Sequence, residues 1–434
     1  MSDTTNTTKT LEASTDTPKF RGWHLLKTRD FGFLWSGQLI SQIGDGLNKV
    51  ALLWFVYSLT GSALKMTVIG LLQTLPALLL APLIGVYLDR MQKKKWLMVW
   101  IDLARTVLVF MIPVLYSMGE LTLERIYVLV FLTAIASTTF GPALTSAVPS
   151  IVPRSQLTAA NALMQGGANV AILIGPAMSG VGIAVIGEQN VLFINDAMYL
   201  VSALCLLPVR MRPVAPVSEQ AIGSRGVVSD MLVGFRFVFL QERIVLFLMI
   251  TVALFNLAWS GFLFLLPVLA QHVLDVGPLE LGWLWSFLGV GMLAASAWLA
   301  YAKLGGLSSR LRMISGSMAV GGLAVGSLRL FGNAFLAAPL VIIIGGCIAL
   351  VTPVVWALLQ EMTPQHMLGR VFTTFSTGGM FAAMAGMLGS GWAVDNVGSG
   401  ITLLGIGLIL LATALVASHF SRLLQPSVVV SQSS

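Results

Sequence analysis

The decapeptide GVYLDRMQKK occupies residues 85–94. It includes the end of an apolar segment at 64–88 and stops just before another apolar segment, at 96–117. Apolar segments of this length predict helices, so Asp89 stands at a helix C-terminus, where the helix dipole disfavours a carboxylate. We therefore expect Asp89 to have a partner, either a basic side chain or the N-terminus of another helix. Gly85 lies one turn earlier and would let that neighbour approach closely.

The basic residues Arg90, Lys93 and Lys94 complete this predicted latch between helices. A later loop contains Gly369 and Arg370, which we expect to belong to the same conformational gate. Such a contact would close one side of the molecule and break when its two parts rock against each other. The alternative interpretation is an ordinary basic loop that contains a single acid.

The composition points to a membrane environment for the whole chain. Of the 434 residues, 56% are hydrophobic and only 10% are charged, and the mean hydropathy is +0.88. A soluble domain has about a quarter of its residues charged, so this chain has too few charges to cover a water-exposed surface. The composition excludes a cytosolic enzyme, a nucleic-acid-binding domain and a disordered scaffold.

About twelve stretches are long and apolar enough to cross a membrane, for which a helix needs about 20 residues. Turn-forming residues separate these stretches. They lie near 32–58, 64–88, 96–117, 124–147, 157–186, 189–209, 244–271, 279–302, 311–331, 334–358, 367–393 and 398–420. The predicted fold class is therefore an all-α integral membrane protein with 12 transmembrane helices.

The longest polar interruption, at 210–243, divides these stretches into two sets of six. We interpret it as a cytoplasmic linker between an N-terminal six-helix half at 31–209 and a C-terminal six-helix half at 244–422. A cytoplasmic tail at 1–30 precedes the first half, and another at 423–434 follows the second.

The two halves show matching Gly and Pro positions at an offset of 211 residues. Chance could produce one or two such matches in a chain rich in Gly and Pro, but four in register favour a duplication. Two parallel six-helix halves around a midplane cavity form the architecture of alternating-access transporters. The matches are Pro142 with Pro353, Pro153 with Pro364, Gly167 with Gly378 and Gly180 with Gly391.

Basic residues concentrate in the even-numbered loops and the linker, whereas the odd-numbered loops carry mainly acids. The positive-inside rule then predicts that both termini lie in the cytoplasm, with the chain in the plasma membrane, which in a bacterium is the inner membrane. The net charge of +7 reflects this topology and contact with anionic lipid rather than nucleic acid. Residues 1–30 contain no apolar core of a signal peptide. Cys205 and Cys347 lie in apolar runs, so no disulfide framework, metal site or cofactor is predicted.

Charged residues inside the predicted spans are candidates for coupling or substrate binding, because each costs roughly 2.5–3.5 kcal/mol at the centre of the bilayer. Asp45 and Lys49 are spaced i,i+4 on the first helix, which predicts an ion pair that protonation or a cationic substrate could open. A permanent structural pair is the alternative. Asp196, in the sixth span, could exchange protons or simply form a hydrogen bond. Asp102 and Arg105 suggest a structural pair or part of the gate.

Further polar or amphipathic residues lie in spans that would face a central cavity. Twenty methionines would suit an adaptable apolar pocket, although hydrophobic filling of lipid-facing helices explains most of them equally well. The candidate cavity residues are Gln42, Gln73, Gln165, Asn169, Asn256 and Trp259.

Residues 85–94 resemble motif A of the major facilitator superfamily, written Gly-x-Leu-Ala-Asp-Arg-x-Gly-Arg-Arg/Lys. The first Gly, the Asp-Arg pair and the final basic pair are kept, whereas Tyr87, Leu88 and Gln92 replace the family's Leu, Ala and second Gly. The resemblance implies that this segment is a gate. The replacement at Gln92 is expected to alter the turn of the loop rather than the latch.

A second segment resembles the Gly-Pro-x-x-Gly-Gly core of motif C, the antiporter motif of the same superfamily. Gly175, Pro176 and Gly180 match this core, while Ser179 replaces one Gly and Ala171 an upstream one. Because motif C accompanies export in the superfamily, the resemblance implies efflux. A helix-packing seam with no directional meaning is the alternative.

Other segments are similar to the branch of the superfamily that holds macrolide-efflux and enterobactin-exporter proteins, and the resemblance covers about 30–422. The fourth span has no membrane-embedded Arg of the kind that multidrug antiporters carry, so coupling schemes that use that Arg do not transfer. The segments are Gly44-Asp45-Gly46 with Lys49, and residues 59–63, 141–143, 161–163 and 369–371.

The sequence and the resemblance together predict a secondary active exporter of amphipathic organic molecules, such as drugs, macrolides or siderophores. Its expected partners are the small-molecule substrate, protons and membrane lipid, and the protein is expected to be a monomer that binds no nucleic acid. The chain has no GxxxxGK[ST] phosphate loop, which argues against an ATP-driven pump. Its four His are scattered, which argues against an enzyme. The alternatives are a lysophospholipid or metabolite carrier of the same fold, or a non-transporting membrane scaffold.

Overall fold

The computed structural model describes the chain at residues 23–90, 93–153, 156–211, 243–302, 305–331, 334–363 and 368–423. Within these ranges the secondary structure is helical, without strands. The twelve long helices in the described residues are labelled in chain order. They are α1 (Arg29–Thr60), α2 (Ala63–Arg90), α3 (Lys94–Ser117), α4 (Leu123–Ile151), α5 (Leu157–Ile186), α6 (Glu188–Leu206), α7 (Arg243–Phe264), α8 (Pro278–Tyr301), α9 (Leu307–Ser327), α10 (Ala334–Met362), α11 (Leu368–Val397) and α12 (Ser399–Leu423).

Eleven of these helices, α2 to α12, contain a described stretch long and apolar enough to cross a membrane. The chain is therefore a multi-pass membrane protein. The first helix, α1, contains no stretch that is apolar enough, because its middle carries the polar residues Gln42, Asp45, Asn48 and Lys49. The predicted count of twelve spanning helices stays a prediction for this reason.

Turn residues end the helices where the sequence predicts breaks. Gly61 adopts a left-handed backbone conformation, with φ of 62°, and its N–H donates to the carbonyl oxygen of Tyr57 at the end of α1. This conformation favours glycine because other residues would be strained there. The stretch 244–271 was expected to form one continuous helix. It instead forms α7 and then a separate short helix, Leu266–His272. Pro267 lies in the first turn of that short helix.

The helices pair in the same way in the two halves of the chain. In the first half α1 packs on α5, α2 on α4 and α3 on α6. In the second half the equivalent pairs are α7 with α11, α8 with α10 and α9 with α12. The principal contacts between the halves are α2 with α11 and α5 with α8, which are also equivalent to each other. This packing is what a duplicated six-helix unit would produce. The predicted linker lies almost wholly outside the described residues, so the domain boundaries stay a prediction.

Close helix packing in the first half depends on Gly175, which the sequence places in the antiporter-like segment. A Cβ atom at this position would lie 2.7 Å from the carbonyl oxygen of Ile43 and 3.0 Å from the Cα atom of Gly46. The α1 and α5 backbones can approach this closely only because both residues lack a side chain. Gly166, on the same helix, would meet no neighbouring atom within 4 Å.

We expect Gly175→Val to lower the thermal unfolding midpoint of the purified protein, because the added side chain would force α1 and α5 apart at a cost of about 1–3 kcal/mol. Gly166→Val is the matched control and should unfold close to the wild type. Equal midpoints for the two variants in detergent solution would contradict the packing role assigned to Gly175.

Candidate functional site

A cavity of about 230 Å³ lies inside the first half. Five helices, α1, α2, α3, α4 and α6, contribute to its wall. The combination of two charged groups with mostly small polar and apolar neighbours suits an organic ligand or a proton-binding site. The lining residues are Asp45, Asn48, Lys49, Leu52, Gln73, Val109, Ile112, Val130, Thr133, Ala134, Ser137 and Tyr199.

Asp45 offers an accessible carboxylate at mid-length of α1. Its Oδ1 atom accepts a hydrogen bond of 2.5 Å from the hydroxyl group of Tyr199 on α6. The Tyr199 side chain is buried, with 1% of its surface exposed, whereas Asp45 is exposed to the cavity. The carboxylate is thus held in position on one side and remains open to a proton or ligand on the other.

Lys49 does not pair with Asp45, so the predicted ion pair is wrong. The described ion pairs within 4.0 Å do not include these two side chains. The Lys49 Nζ atom instead lies 5.0 Å from the ring centre of Phe264 and 5.2 Å from that of Trp285. Because both rings belong to the second half, this cation–π contact joins the two halves. The i,i+4 spacing places Asp45 and Lys49 near each other but does not decide which partners they choose.

A buried ion pair lies next to the cavity. Arg105 Nη1 is 3.5 Å from Asp102 Oδ1, and these side chains are 4% and 0% exposed. Asp102 Oδ2 accepts a hydrogen bond of 2.7 Å from Ser202, and Arg105 Nε donates one of 2.9 Å to Ser137. The Arg105 guanidinium carbon also lies 5.2 Å from the ring centre of Tyr199. Tyr199 therefore links the buried pair to Asp45.

Asp196 is buried in α6, with 5% of its surface exposed, and does not line the cavity around Asp45. Both of its carboxylate oxygens are buried, and none of the described residues donates a hydrogen bond to them. A charged carboxylate without donors is costly to bury. By sequence, Asp45, Lys49 and Asp196 are all candidates for coupling or substrate binding. In the structure Asp45 and Lys49 line one cavity, and Asp196 does not line it.

The predicted cavity residues divide among several places. Gln73 lines the cavity of Asp45, whereas Asn256 lines a second cavity in the other half. Trp259 borders a much smaller space of about 20 Å³ in the second half. Gln165 is exposed and Asn169 is half-buried on α5, and the Gln165 amide donates a hydrogen bond of 3.3 Å to the Asn169 side chain. Gln42 is half-buried on α1 and does not line the cavity of Asp45.

The predicted gate lies at the end of the bundle that holds the α2–α3 turn. The backbone of Gly85, Asp89 and Arg90 belongs to the last turns of α2, and their side chains lie outside the described residues. The same holds for Gly369 and Arg370 in the first turn of α11. The two lysines of the motif flank the start of α3. The latch at this end stays a prediction.

The opposite end of the bundle, where the α1–α2 and α11–α12 turns lie, is called the distal end. Here a side chain of the second half caps a helix of the first. Asp395 of α11 accepts a hydrogen bond of 2.5 Å from the Ser62 hydroxyl, one of 2.7 Å from the Ala63 N–H and one of 3.1 Å from the Leu64 N–H. A carboxylate at a helix N-terminus is favoured by the free N–H groups and by the helix dipole.

The antiporter-like segment contributes to a second distal contact. A Cβ atom at Gly180 of α5 would lie 2.6 Å from the carbonyl oxygen of Pro278 and 2.7 Å from the Cα atom of Gly282 on α8. Further along the seam, the Ser286 hydroxyl donates a hydrogen bond of 3.3 Å to the carbonyl oxygen of Leu173. The segment is thus a packing seam on two sides, with Gly175 facing α1 and Gly180 facing α8.

Several contacts between described residues join the two halves of the protein. These hydrogen bonds, ring contacts and close glycine contacts lie mostly in the distal portions of the helices. They include Asp395 with the start of α2, Gly180 with Gly282, and a ring contact of Tyr57 with His272 at 5.8 Å. Two contacts lie nearer the middle of the bundle: that of Lys49 with Phe264 and Trp285, and that of Gly289 on α8 with Leu173 on α5. The described contacts therefore form a distal seal.

The sequence did not identify Tyr199 or Asp395 as site residues. Tyr199 lies three residues after Asp196, so a search for hydrogen-bonding side chains one turn from buried acids would have found it. In the sequence, Asp395 is only one of the acids of the predicted odd-numbered loops. Its partner lies 331 to 333 residues away in the chain, and no local signal connects the two segments.

Two six-helix halves, with charged groups held inside a membrane bundle, define a membrane transporter of the major facilitator type. Solved structures show the same fold. The POT-family transporter PepTSo matches with a TM-score of 0.70 at 13% identity, covering 92% of this chain and 98% of that one. The nucleoside transporter NupG matches with a TM-score of 0.65 at 13% identity, covering 91% and 98%.

The chain belongs to the transmembrane secretion effector family, whose sequence model matches residues 21–432. It is 25% identical over 394 residues to the multidrug efflux pump Tap of Mycolicibacterium fortuitum, covering 89% of this chain and 94% of that protein. It is 24% identical to macrolide efflux protein A of Streptococcus pyogenes, covering 93% and 98%. The family and these relatives are transporters, not enzymes. This confirms the predicted superfamily and the prediction that the chain is a transporter rather than an enzyme.

We expect Arg105→Met to reduce the stability of the protein by about 3–5 kcal/mol, because it leaves Asp102 buried without its cation. The double variant Asp102→Asn/Arg105→Met should recover most of the loss, since the remaining amide is neutral and can still pair with Ser202. Denaturant unfolding in detergent micelles measures both. A double variant no more stable than the single one would contradict the assignment of a buried ion pair.

We expect Asp395→Ala to open the distal seal about tenfold more often, because loss of a helix cap costs about 0.5–2 kcal/mol. A cysteine in place of Thr67, in a background with Cys205→Ser and Cys347→Ser, reports the opening. Thr67 is fully buried against Gly391 at this seam. Its labelling by a maleimide that does not cross membranes should become faster.

The matched control is Glu280→Ala. The Glu280 Oε2 atom accepts a hydrogen bond of 3.1 Å from the Gly277 N–H at the start of α8, so it caps its own helix within one half. Its loss should leave Thr67→Cys labelling unchanged, while Asp395→Asn should fall between wild type and Asp395→Ala. Equal labelling in the Asp395 and Glu280 variants would show that the cap does not hold the halves together.

Proposed function

We propose that this protein is a secondary active exporter that moves amphipathic organic molecules out of the cell by alternating access, in exchange for protons. The relatives named above are efflux pumps for several drugs or for macrolides. Their similarity spans nearly the whole chain, which supports the same type of transport here.

The observation that carries the proposal is the accessible carboxylate of Asp45 inside the bundle. It faces a cavity of about 230 Å³ and has one side held by Tyr199. Such a carboxylate can bind a proton or face a substrate as an anion, and it cannot do both at once. This competition is the chemical requirement for exchanging protons against substrate. Asp196, buried without hydrogen-bond donors among the described residues, is our second candidate for holding a proton.

The charge distribution supports the direction of transport. With both termini in the cytoplasm, as the basic loops favour, the distal end faces the outside. Closure by the distal seal, and by Lys49 between Phe264 and Trp285, then corresponds to the state that loads substrate from the cytoplasm. The opposite state requires that these contacts separate and that the gate around Asp89 forms.

A compound-sensitivity screen in a bacterial host without its own efflux pumps tests the proposal. We expect the wild-type protein to raise resistance to several amphipathic drugs and Asp45→Asn to abolish the gain. In proteoliposomes with an imposed proton gradient, the wild type should move the same compounds in one direction across the membrane and protons in the other. Tyr199→Phe removes one hydrogen bond and should reduce coupled transport by about three- to tenfold.

Two controls separate function from folding. Each variant must show a wild-type thermal midpoint, because a folding defect would also abolish resistance. Asp45→Asn with Lys49→Ala should not restore transport, since the two side chains are not paired. Transport of a fluorescent lysophospholipid without drug resistance would replace the proposal by a lipid carrier. No flux of any compound under a proton gradient would favour a scaffold.

A further inference from the structure

Arg105 carries a buried positive charge directly behind the wall of the cavity that Asp45 faces. Its side chain is 4% exposed, and its Nε atom donates a hydrogen bond of 2.9 Å to Ser137, which lines the cavity. Burial leaves little water to screen this charge, so it acts on the Asp45 carboxylate more strongly than a surface charge would. The first half thus holds a cation within electrostatic reach of its accessible carboxylate.

The Arg105 guanidinium group is fixed in place on several sides. Its carbon atom lies 5.2 Å from the ring centre of Phe140 and 5.2 Å from that of Tyr199. Its nitrogen atoms contact three polar side chains at 3.5, 2.9 and 3.5 Å, which are Asp102, Ser137 and Ser41. Because these neighbours come from α1, α3, α4 and α6, Arg105 is a stationary charge of the first half.

Tyr199 transmits this charge to Asp45. Its ring lies against the Arg105 guanidinium group, and its hydroxyl group donates the hydrogen bond to Asp45 Oδ1. A cation over an aromatic ring attracts the electrons of that ring, which makes the attached O–H a stronger donor. Stronger donation stabilises the charged form of the carboxylate. The direct attraction of Arg105 and the hydrogen bond of Tyr199 thus act in the same direction.

The other charged groups around Asp45 act differently from Arg105. Asp102, on α3, pairs with Arg105 and opposes part of its charge. Lys49, on α1, lies against two rings of the second half, so its position depends on how the halves are arranged. On α6, Asp196 lies outside the lining of the cavity. Neither α2, nor α4, nor the second half contributes a charged side chain to the described lining.

We propose that Arg105 is a positioning residue for proton exchange, which acts through Tyr199 to make Asp45 release its proton inside the bundle. The inference rests on the proposed export function and concerns the regulation of the same site. A carboxyl group surrounded by protein and lipid favours its neutral form, and a neutral Asp45 could not face a substrate as an anion. The Arg105 charge offsets this preference, and Asp102 limits the offset. The buried pair therefore sets the pH at which proton and substrate compete equally.

Carbodiimide modification of the purified full-length protein tests this role without requiring transport or a known substrate. Dicyclohexylcarbodiimide is apolar and reacts with protonated carboxyl groups, whereas it spares carboxylates. Peptide mass spectrometry gives the modified fraction of Asp45 at a series of pH values, and the readout is the pH at which modification is half-maximal. The Asp45→Asn variant provides the background.

We expect Arg105→Gln to raise the pH of half-maximal modification by about one unit, a tenfold gain in proton affinity, because loss of a nearby cation favours the neutral carboxyl group. Asp102→Asn should shift this pH in the opposite direction, since it leaves the Arg105 charge unopposed. Arg105→Lys keeps the charge and should remain close to the wild type. A purely structural pair would change the thermal midpoint in these variants without moving the pH of half-maximal modification.

Arg125→Gln is the matched control, because Arg125 belongs to an exposed ion pair of the same half. Its Nη1 atom lies 3.1 Å from Glu120 Oε2, and these side chains are 47% and 57% exposed. This control should match the wild type in the pH of half-maximal modification. If Arg105→Gln unfolds, the double variant Asp102→Asn/Arg105→Gln leaves neither buried charge. It should still have a higher pH of half-maximal modification than Asp102→Asn.

Three results would overturn the role of Arg105. They are no modification of wild-type Asp45 at any pH, the same pH of half-maximal modification with and without Arg105, and shifts of Arg105→Gln and Asp102→Asn in one direction. The export function would stand in each case if Asp45→Asn still abolishes drug resistance. The expected shifts without flux in proteoliposomes would instead contradict the export function and leave the role of Arg105 intact.

Discussion

Charged side chains inside a membrane bundle need partners, and the partners of α1 organise much of this protein. Asp45 and Lys49 lie one turn apart on that helix. Asp45 accepts a hydrogen bond from Tyr199 within the first half, whereas Lys49 contacts Phe264 and Trp285 of the second. The helix is therefore tied to its own half through an acid and to the opposite half through a cation. The cavity opens between these two attachments.

The distal seal combines small-residue and polar contacts with a hydrophobic cluster to which both halves contribute. Between helices in lipid, small residues and polar groups provide much of the attraction. Gly180 and Gly282 bring α5 and α8 together, and the Asp395 carboxylate caps α2 through three hydrogen bonds. Each of these contacts joins helices of different halves.

The sequence predicted the helical framework well because hydropathy and turn residues act locally. The predicted stretch 124–147 corresponds to Leu123–Ile151, and Gly61 ends α1 as expected. The expected pairing of Asp45 with Lys49 was wrong, since spacing along a helix places two side chains near each other without setting their rotamers or competing partners. The candidate cavity residues likewise divided among separate sites, because polarity indicates an inward face but not which cavity that face meets.

By itself, the sequence determined that this is a helical membrane protein of two related halves, and its motifs indicated the superfamily. Those properties depend on composition, periodicity and short segments, which fold largely through local interactions. Only the tertiary structure decided that Lys49 contacts the second half, that Asp395 caps α2 and that Asn256 and Trp356 share an uncharged cavity. Each of these contacts joins residues on different helices, and their meeting depends on how whole helices pack rather than on any pattern along the chain.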